Sequence, residues 1–401
     1  MNVICIVAAT YKQVLFFSRM KESFEKKNIK MVIITIQYSA LRFLSRRGIE
    51  AFIPDISKGE NESCLISDFF ECKIDKMSYD DCVKLFKSTK FLVRNIVNQY
   101  NVIGFFIFNG ETVECKGAIE IAKECNKELL FFEIANLPGK VFVDKQGVNA
   151  HSELCDNPSI LKHFDNCHYE YIAWKKNFLD SRHGTKVPQT RNNLSDISSK
   201  NIYDVIGFCV LHHVGYSYRY IIKKLKIFLD NCFSQFDYDN YNYKQGKYIF
   251  FPLQVTYDTQ VIINSNIDIF KALEYVIKRA EILKKDIVIK PHPQEADSYI
   301  TNVLKKLRQE HDLFVVNDNV MLIMENADEV VTINSTVGLE AKILGKNVNI
   351  LGNAIYKNFK DDDLEKYICR YLIDVDFWEE YSIDISVIEV LLARLNNQYS
   401  V

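Results

Sequence analysis

Two stretches of this chain hold residue types that together could do chemistry on a phosphate and a sugar. One is Ile333 to Ile343, INSTVGLEAKI; the other, residues 286–294, reads DIVIKPHPQ. In the first, a β-rich run from Glu329 to Ile333 ends in Asn334, Ser335 and Thr336, and a helical pattern opens through Gly338 and Glu340. The first N–H groups of a helix have no intrahelical partner, so the Ser335 and Thr336 hydroxyls beside them complete a phosphate site. Glu340 lies one turn further in, where a carboxylate can accept both hydroxyls of a ribose. Ser335 and Thr336 also fit a plain N-cap, and both readings stand. In the second stretch, the apolar run Ile287, Val288, Ile289 is a buried strand that delivers Lys290 and His292 to its carboxyl end. That edge is where open α/β sheets bind ligands. His292 alone fits a structural hydrogen bond equally well, and Lys290 can lie along the flank of the sheet. Taken together, the two stretches describe a pocket for a nucleotide phosphate and its sugar.

The elements that must position these residues follow from periodicity. In the N-terminal half, strands are expected at Val3–Ala9, Met31–Ile36, Val102–Phe108 and Glu128–Ile134, with helices at Gln13–Lys27, Tyr79–Tyr100 and Val113–Asn126. From Lys247 the rhythm returns, with strands at Tyr248–Val255, Asp286–Lys290, Leu313–Val316, Glu329–Ile333 and Val348–Leu351. Alternation of this kind specifies parallel sheets covered by helices. The expected division is a first domain at 1–150, a mainly helical interdomain region at 151–245, a second domain at 246–375 and a closing helix at 376–401. No GxGxxG follows the first strand, so a dinucleotide site is not indicated. The ending LLARLNNQYSV is helical without a C-cap, and a piece of a longer multidomain protein is expected.

Composition narrows the class. With 401 residues, 48% hydrophobic and 25% charged, the chain is globular and long enough for two cores. A net charge of −2 offers no basic face for nucleic acid. Eleven cysteines at irregular spacing form no zinc pattern. Without a signal peptide they indicate a reduced cytoplasmic protein. No run approaches the ~20 apolar residues of a membrane span, so any membrane contact is expected to be peripheral, at the inner membrane. Tyr238, Tyr241 and Tyr243 cluster in a polar segment, where surface packing and a sugar site are both open.

FFEIANLPGKVFVDKQGVN (131–149), FFPLQVTYDTQ (250–260), IVIKPHP (287–293) and TINSTVGLEAKILGKNV (332–348) stand in that order. They resemble the characteristic blocks of bacterial capsule-polysaccharide synthesis proteins, a group that includes the β-Kdo transferases of capsule and O-antigen assembly. The resemblance spans roughly residues 100 to 355. It implies a GT-B glycosyltransferase, α/β in class, with two Rossmann-like domains and a cleft between them. The implied donor is CMP-Kdo and the acceptor a lipid-linked glycan, with other glycosyltransferase domains of the same synthase as partners. His292, Ser335 and Thr336 are then implied as phosphate contacts, Glu340 as the ribose contact, and Gln254, Asp258 and Lys290 as further donor-site residues, although Asp258 also fits a helix cap. Asn109 and Glu133, at the carboxyl ends of N-terminal strands, are candidates for acid–base work or acceptor binding; Glu133 also fits a carboxylate satisfied by loop amides.

Enzymes of this group retain the donor's configuration, most simply by two inversions through a covalent adduct on a carboxylate. The resemblance places a nucleophilic Asp where this chain has Cys232, with Asp230, Asp237 and Asp239 nearby. Cys232 also fits a small buried hydrophobe. No metal or other cofactor is expected, since no paired DxD carboxylates flank the phosphate site. Two alternatives remain at this stage: a CMP-sialic-acid transferase, and a non-catalytic glycan-binding domain of a larger synthase.

Overall fold

The computed structural model describes residues 1–59, 69–184, 204, 238–244, 246–255, 261, 264–292 and 298–398. The chain divides into two compact units. Unit 1 is Met1–Asp165, Gln189–Ile221 and Arg370–Val401; unit 2 is Asn166–Pro188 and Ile222–Cys369. This differs from the serial division expected from sequence. The closing segment belongs with the first unit, and the helix that begins at His168 belongs with the second.

Unit 1 is built on strands β1 (Asn2–Val7), β2 (Ile29–Ile34), β3 (Glu50–Phe52), β4 (Asn101–Phe108), β5 (Glu128–Ile134) and β6 (Val141–Asp144), in the order β3-β2-β1-β4-β5-β6. Neighbours run parallel, except that β6 returns antiparallel along β5. The near-continuous apolar runs of β1, β2 and β4 are buried, which a parallel sheet covered on both faces requires. The helices are α1 (Tyr11–Ser18), α2 (Lys21–Lys26), α3 (Tyr38–Arg46), α4 (Phe70–Lys73), α5 (Tyr79–Gln99), α6 (Val113–Glu124) and α7 (Glu153–Asp156). Thr10 opens α1 with a reciprocal capping box to Gln13.

The single helix expected over Gln13–Lys27 is two, because Arg19 is drawn inward. Its Nε donates to the Tyr381 carbonyl at 2.7 Å and its Nη1 to that of Asp376 at 2.7 Å. Both acceptors belong to the returning C-terminal segment, whose Phe377, Ile388 and Leu391 join Ile6, Phe17, Phe106 and Phe132 in one core.

Unit 2 opens with α8 (His168–Gly184) and continues through β7 (Tyr248–Pro252), α9 (Ile269–Leu283), β8 (Asp286–Lys290), α10 (Ser298–Glu310), β9 (Leu313–Val315), α11 (Val320–Asn326), β10 (Glu329–Thr332), α12 (Thr336–Ile343), β11 (Asn347–Ile350) and α13 (Asp361–Lys366). All its strand pairs are parallel, in the order β11-β10-β7-β8-β9. The chain leaves β7 towards β8 and β9, then crosses back to lay β10 on the other side of β7. That reversal opens a crevice at the carboxyl ends of β7 and β10, the place where doubly wound sheets take ligands. The fold class is therefore α/β, with two Rossmann-like units. A last helix, α14 (Ile385–Leu395), packs in unit 1.

Candidate functional site

The reversal in unit 2 carries the residues that the sequence singles out. Past the end of β10, Ser335 caps α12 with extended backbone angles, and its Oγ accepts from the Val337 N–H at 3.2 Å. The capping reading of Ser335 is thus correct. A hydroxyl that accepts one bond still has its own proton to donate, so capping leaves it able to meet a phosphate. The Ser335 N–H donates to Thr332 Oγ1 at 3.2 Å, and the Tyr356 hydroxyl donates to the Ser335 carbonyl. Thr336, half-buried, is the first helical residue. Gly338 is a close-packing position: a Cβ there would lie 2.6 Å from Tyr356 Oη and 2.7 Å from Thr332 Cγ2. The helix can approach the sheet, and present its first turn at the crevice, only without a side chain at that point.

Gln254 and Asn334 lock across the reversal. Gln254 Nε2 donates to Asn334 Oδ1 at 2.9 Å, and the Asn334 N–H donates to Gln254 Oε1 at 3.1 Å. Both ends of the Gln254 amide are engaged within the chain, so it fastens the loop after β7 to the loop after β10. Lys290 ends β8, and its Nζ donates to Asn317 Oδ1 at 3.2 Å and to the Asp318 carbonyl at 2.8 Å. It therefore leans towards the loop after β9, the flank position that the sequence left open. His292 stands two residues past β8, partly exposed. Asp258, Cys232, Asp230 and Asp237 lie outside the described residues. Asp239 has a structural role: it pairs with Arg308, accepts from the Val315 N–H at 2.8 Å, and its own N–H donates to the Val315 carbonyl at 2.7 Å. Tyr241 and Tyr243 donate to Asp286 and Asp318, each at 2.7 Å, and pack around Tyr248. Packing accounts for both rings.

Glu340 is one turn into α12 and only 1% exposed. Its Oε1 accepts from Nη2 of Arg182, near the end of α8, whose side chain is 10% exposed. Desolvation pushes the Glu340 carboxyl above its ordinary range, and the Arg182 charge and hydrogen bond oppose that. Glu340 Oε2 and Arg182 Nε are buried with no hydrogen-bond partner. Sequence reading missed Arg182, which no motif marks and which lies far from Glu340 along the chain.

At the carboxyl edge of the first sheet, Asn109 and Glu133 do come together. Asn109, at φ 67°, follows β4 and donates through Nδ2 to Glu133 Oε2 at 2.5 Å. Asparagine tolerates this left-handed backbone better than most residues. Glu133 Oε1 accepts from the Ile134 N–H at 3.0 Å, in keeping with satisfaction by backbone amides. Beside them Glu111 meets His151 Nδ1 at 2.9 Å. The hydrogen bond to His151 holds the Glu111 carboxyl below its ordinary range, and the same bond raises the imidazole. This pair too went unread in the sequence.

Among the described residues there is no group of three or more His, Cys, Asp or Glu side chains arranged to hold a metal ion, and no helix is long and apolar enough to cross a membrane.

The profile of one family, the capsule polysaccharide biosynthesis proteins, matches residues 109–359. Protein FixF of Sinorhizobium fredii is 38% identical over 119 residues, 28% of this chain and 28% of that protein. The capsule polysaccharide export protein KpsS of Escherichia coli is 32% identical over 120 residues, 27% of this chain and 31% of that protein. The chain thus spans less than a third of the length of these curated relatives. Among solved structures, the β-Kdo 2,7-transferase KpsC of Thermosulfurimonas dismutans superposes with a TM-score of 0.42 at 17% identity, over 92% of this chain and 99% of that one. A likeness of that size assigns no role to any residue.

Proposed function

This chain belongs to the capsule polysaccharide biosynthesis proteins, and we propose that it has the site of a retaining glycosyltransferase for moving β-Kdo from CMP-β-Kdo to a cell-surface glycan, arrested after donor attack while position 232 is Cys. The observation that carries the proposal is that the α12 N-terminus and His292, two residues past β8, both stand at the carboxyl ends of the unit 2 strands, with the buried Glu340 carboxylate one turn into α12. In this reading the CMP phosphate meets the positive N-terminal end of α12 through the Ser335 and Thr336 hydroxyls, since the Val337 and Gly338 N–H groups already donate to Ser335. His292 adds a charge-assisted donor and Glu340 takes the ribose. Gln254 acts by holding Asn334, and so the N-cap, in place. Lys290 contributes its positive field from the flank. The donor has a single phosphate, so the proposal invokes no metal.

Transfer proceeds by two displacements. A nucleophile in the 228–241 segment attacks C2 of Kdo and CMP departs with the bonding pair; an acceptor hydroxyl then displaces the enzyme group and loses its proton. With Cys232 at the nucleophile position, the first step gives a thioether, and the second stalls because sulfur on this carbon leaves reluctantly. Asn109 and Glu133 are proposed for the acceptor side.

The test is intact mass after incubation with CMP-Kdo. This chain should gain one Kdo on the peptide containing Cys232, and Cys232→Asp should transfer Kdo to acceptor, in excess EDTA as well as without it. An unmodified chain that turns over normally removes Cys232 from the mechanism. Binding of UDP or GDP in preference to CMP removes the donor assignment, and a metal requirement in the Asp form removes the metal-free reading.

A further inference from the structure

The pair Arg182 and Glu340 is more than an ion pair closing the end of α8. Its two side chains are 10% and 1% exposed, the most deeply buried such pair among the described residues. The contact is one-sided: Arg182 Nη2 meets Glu340 Oε1, while Arg182 Nε and Glu340 Oε2 both lack a partner. A guanidinium edge can normally match a carboxylate with two parallel bonds. Here a donor and an acceptor are buried without partners on the two sides of one contact. Each such buried, unfilled group costs stability, so an arrangement serving stability alone is expected to close.

The geometry points to a function for these two unpartnered atoms: we infer that Arg182 and Glu340 together read a sugar hydroxyl of the bound nucleotide, which donates to Glu340 Oε2 and accepts from Arg182 Nε–H. The inference rests on the nucleotide reading of α12 and adds to it a specificity-determining residue on a different helix. A hydroxyl is the chemistry that fits, because it is donor and acceptor on one atom. A phosphate or carboxylate oxygen would be repelled by Glu340, and an ammonium would be repelled by Arg182. The Arg182 charge and hydrogen bond oppose the upward push that burial gives the Glu340 carboxyl. The arginine is itself held by its helix. Tyr171, Trp174 and Phe178 stack along α8, and the guanidinium lies 5.9 Å over the Phe178 ring.

The experiment compares CMP with 2′,3′-dideoxy-CMP by calorimetric titration of the full chain and of Arg182→Lys, which keeps the charge but has no Nε–H fork. The unsubstituted chain should prefer CMP by about tenfold or more, as expected for hydrogen bonds to charged groups. Arg182→Lys should lose most of that preference while binding the dideoxy compound as before. Full retention of the preference in Arg182→Lys overturns the inference. If Arg182→Lys does not fold, the double variant Arg182→Met/Glu340→Leu leaves no buried charge alone; it must then bind the two nucleotides equally, and a surviving preference is again fatal. Equal binding of both by the unsubstituted chain means that only a buried water partners these atoms, which ends this inference while CMP binding stands. No binding of CMP at all overturns the nucleotide reading and this inference with it.

Discussion

At the scale of single residues, the proposed site separates into groups placed to meet a ligand and groups that hold them. Ser335, Thr336 and His292 could be singled out from sequence because their types and positions relative to a strand end are informative one at a time. Gln254 was legible as a special position but not in its role, since a side chain that satisfies both amide ends on Asn334 looks in sequence like any polar residue after a strand. Arg182 was not legible: it is one cation on a helix rich in charge, and only the folded chain brings it to Glu340. His292→Ala is expected to raise the dissociation constant for CMP about tenfold or more, the loss of one hydrogen bond to a charged group, roughly 1.5–3 kcal/mol. Titration calorimetry checks this, and unchanged affinity would return His292 to a structural role.

A second residue-scale prediction concerns unit 1. Glu71 is 2% exposed and its Oε2 has no partner. Burial, and then the charge of Glu114, push its carboxyl up to about 7 against the opposing pull of Lys76 and the Val113 N–H. The folded state thus holds a proton that the unfolded chain releases near its ordinary value. The associated stability is complete below about pH 4.5 and is lost as pH rises through about 7. The unfolding free energy measured from pH 5 to 8 should fall by an amount on the order of 1–3 kcal/mol, and Glu71→Gln should flatten the decline. Parallel curves for the two proteins would contradict it.

At the scale of elements, the long apolar runs made β1, β4, β5, β7 and β8 readable to within a few residues. Two strands were missed. β3 is three residues at a sheet edge, too short for periodicity to register, and β6 runs antiparallel within a segment punctuated by Pro138, Gly139 and Gly147. The split of the first helix had no local signal either, because what interrupts it is the pairing of Arg19 with carbonyls of the C-terminal segment. At α12 the controlling feature is Gly338. Gly338→Ala forces a Cβ against the Oη of the buried Tyr356 and the Cγ2 of the buried Thr332, at 2.6 and 2.7 Å, so both must shift. Overpacking of this kind costs about 1–3 kcal/mol. Denaturant unfolding should show that loss together with weaker CMP binding, because the N-cap moves with the helix. A variant with unchanged stability and affinity would show that the close approach is dispensable.

At the scale of the whole molecule, the two-sheet α/β class was readable from the strand–helix rhythm, but the division of the chain was not. Residues 370–398 return to unit 1, where Arg394 is buried against the Tyr371 ring and donates to the carbonyls of Val143, at 3.2 Å, and Tyr371, at 2.6 Å. Such long-range satisfaction of a charged side chain is invisible to any window-based reading. If unit 2 binds a CMP sugar as proposed, a crystal structure of the chain soaked with CMP will show the phosphate at the N-terminal end of α12, within hydrogen-bond reach of Ser335 or Thr336 and of His292, and a ribose hydroxyl on Glu340. CMP bound at the first sheet, or a ribose turned away from α12, would contradict it.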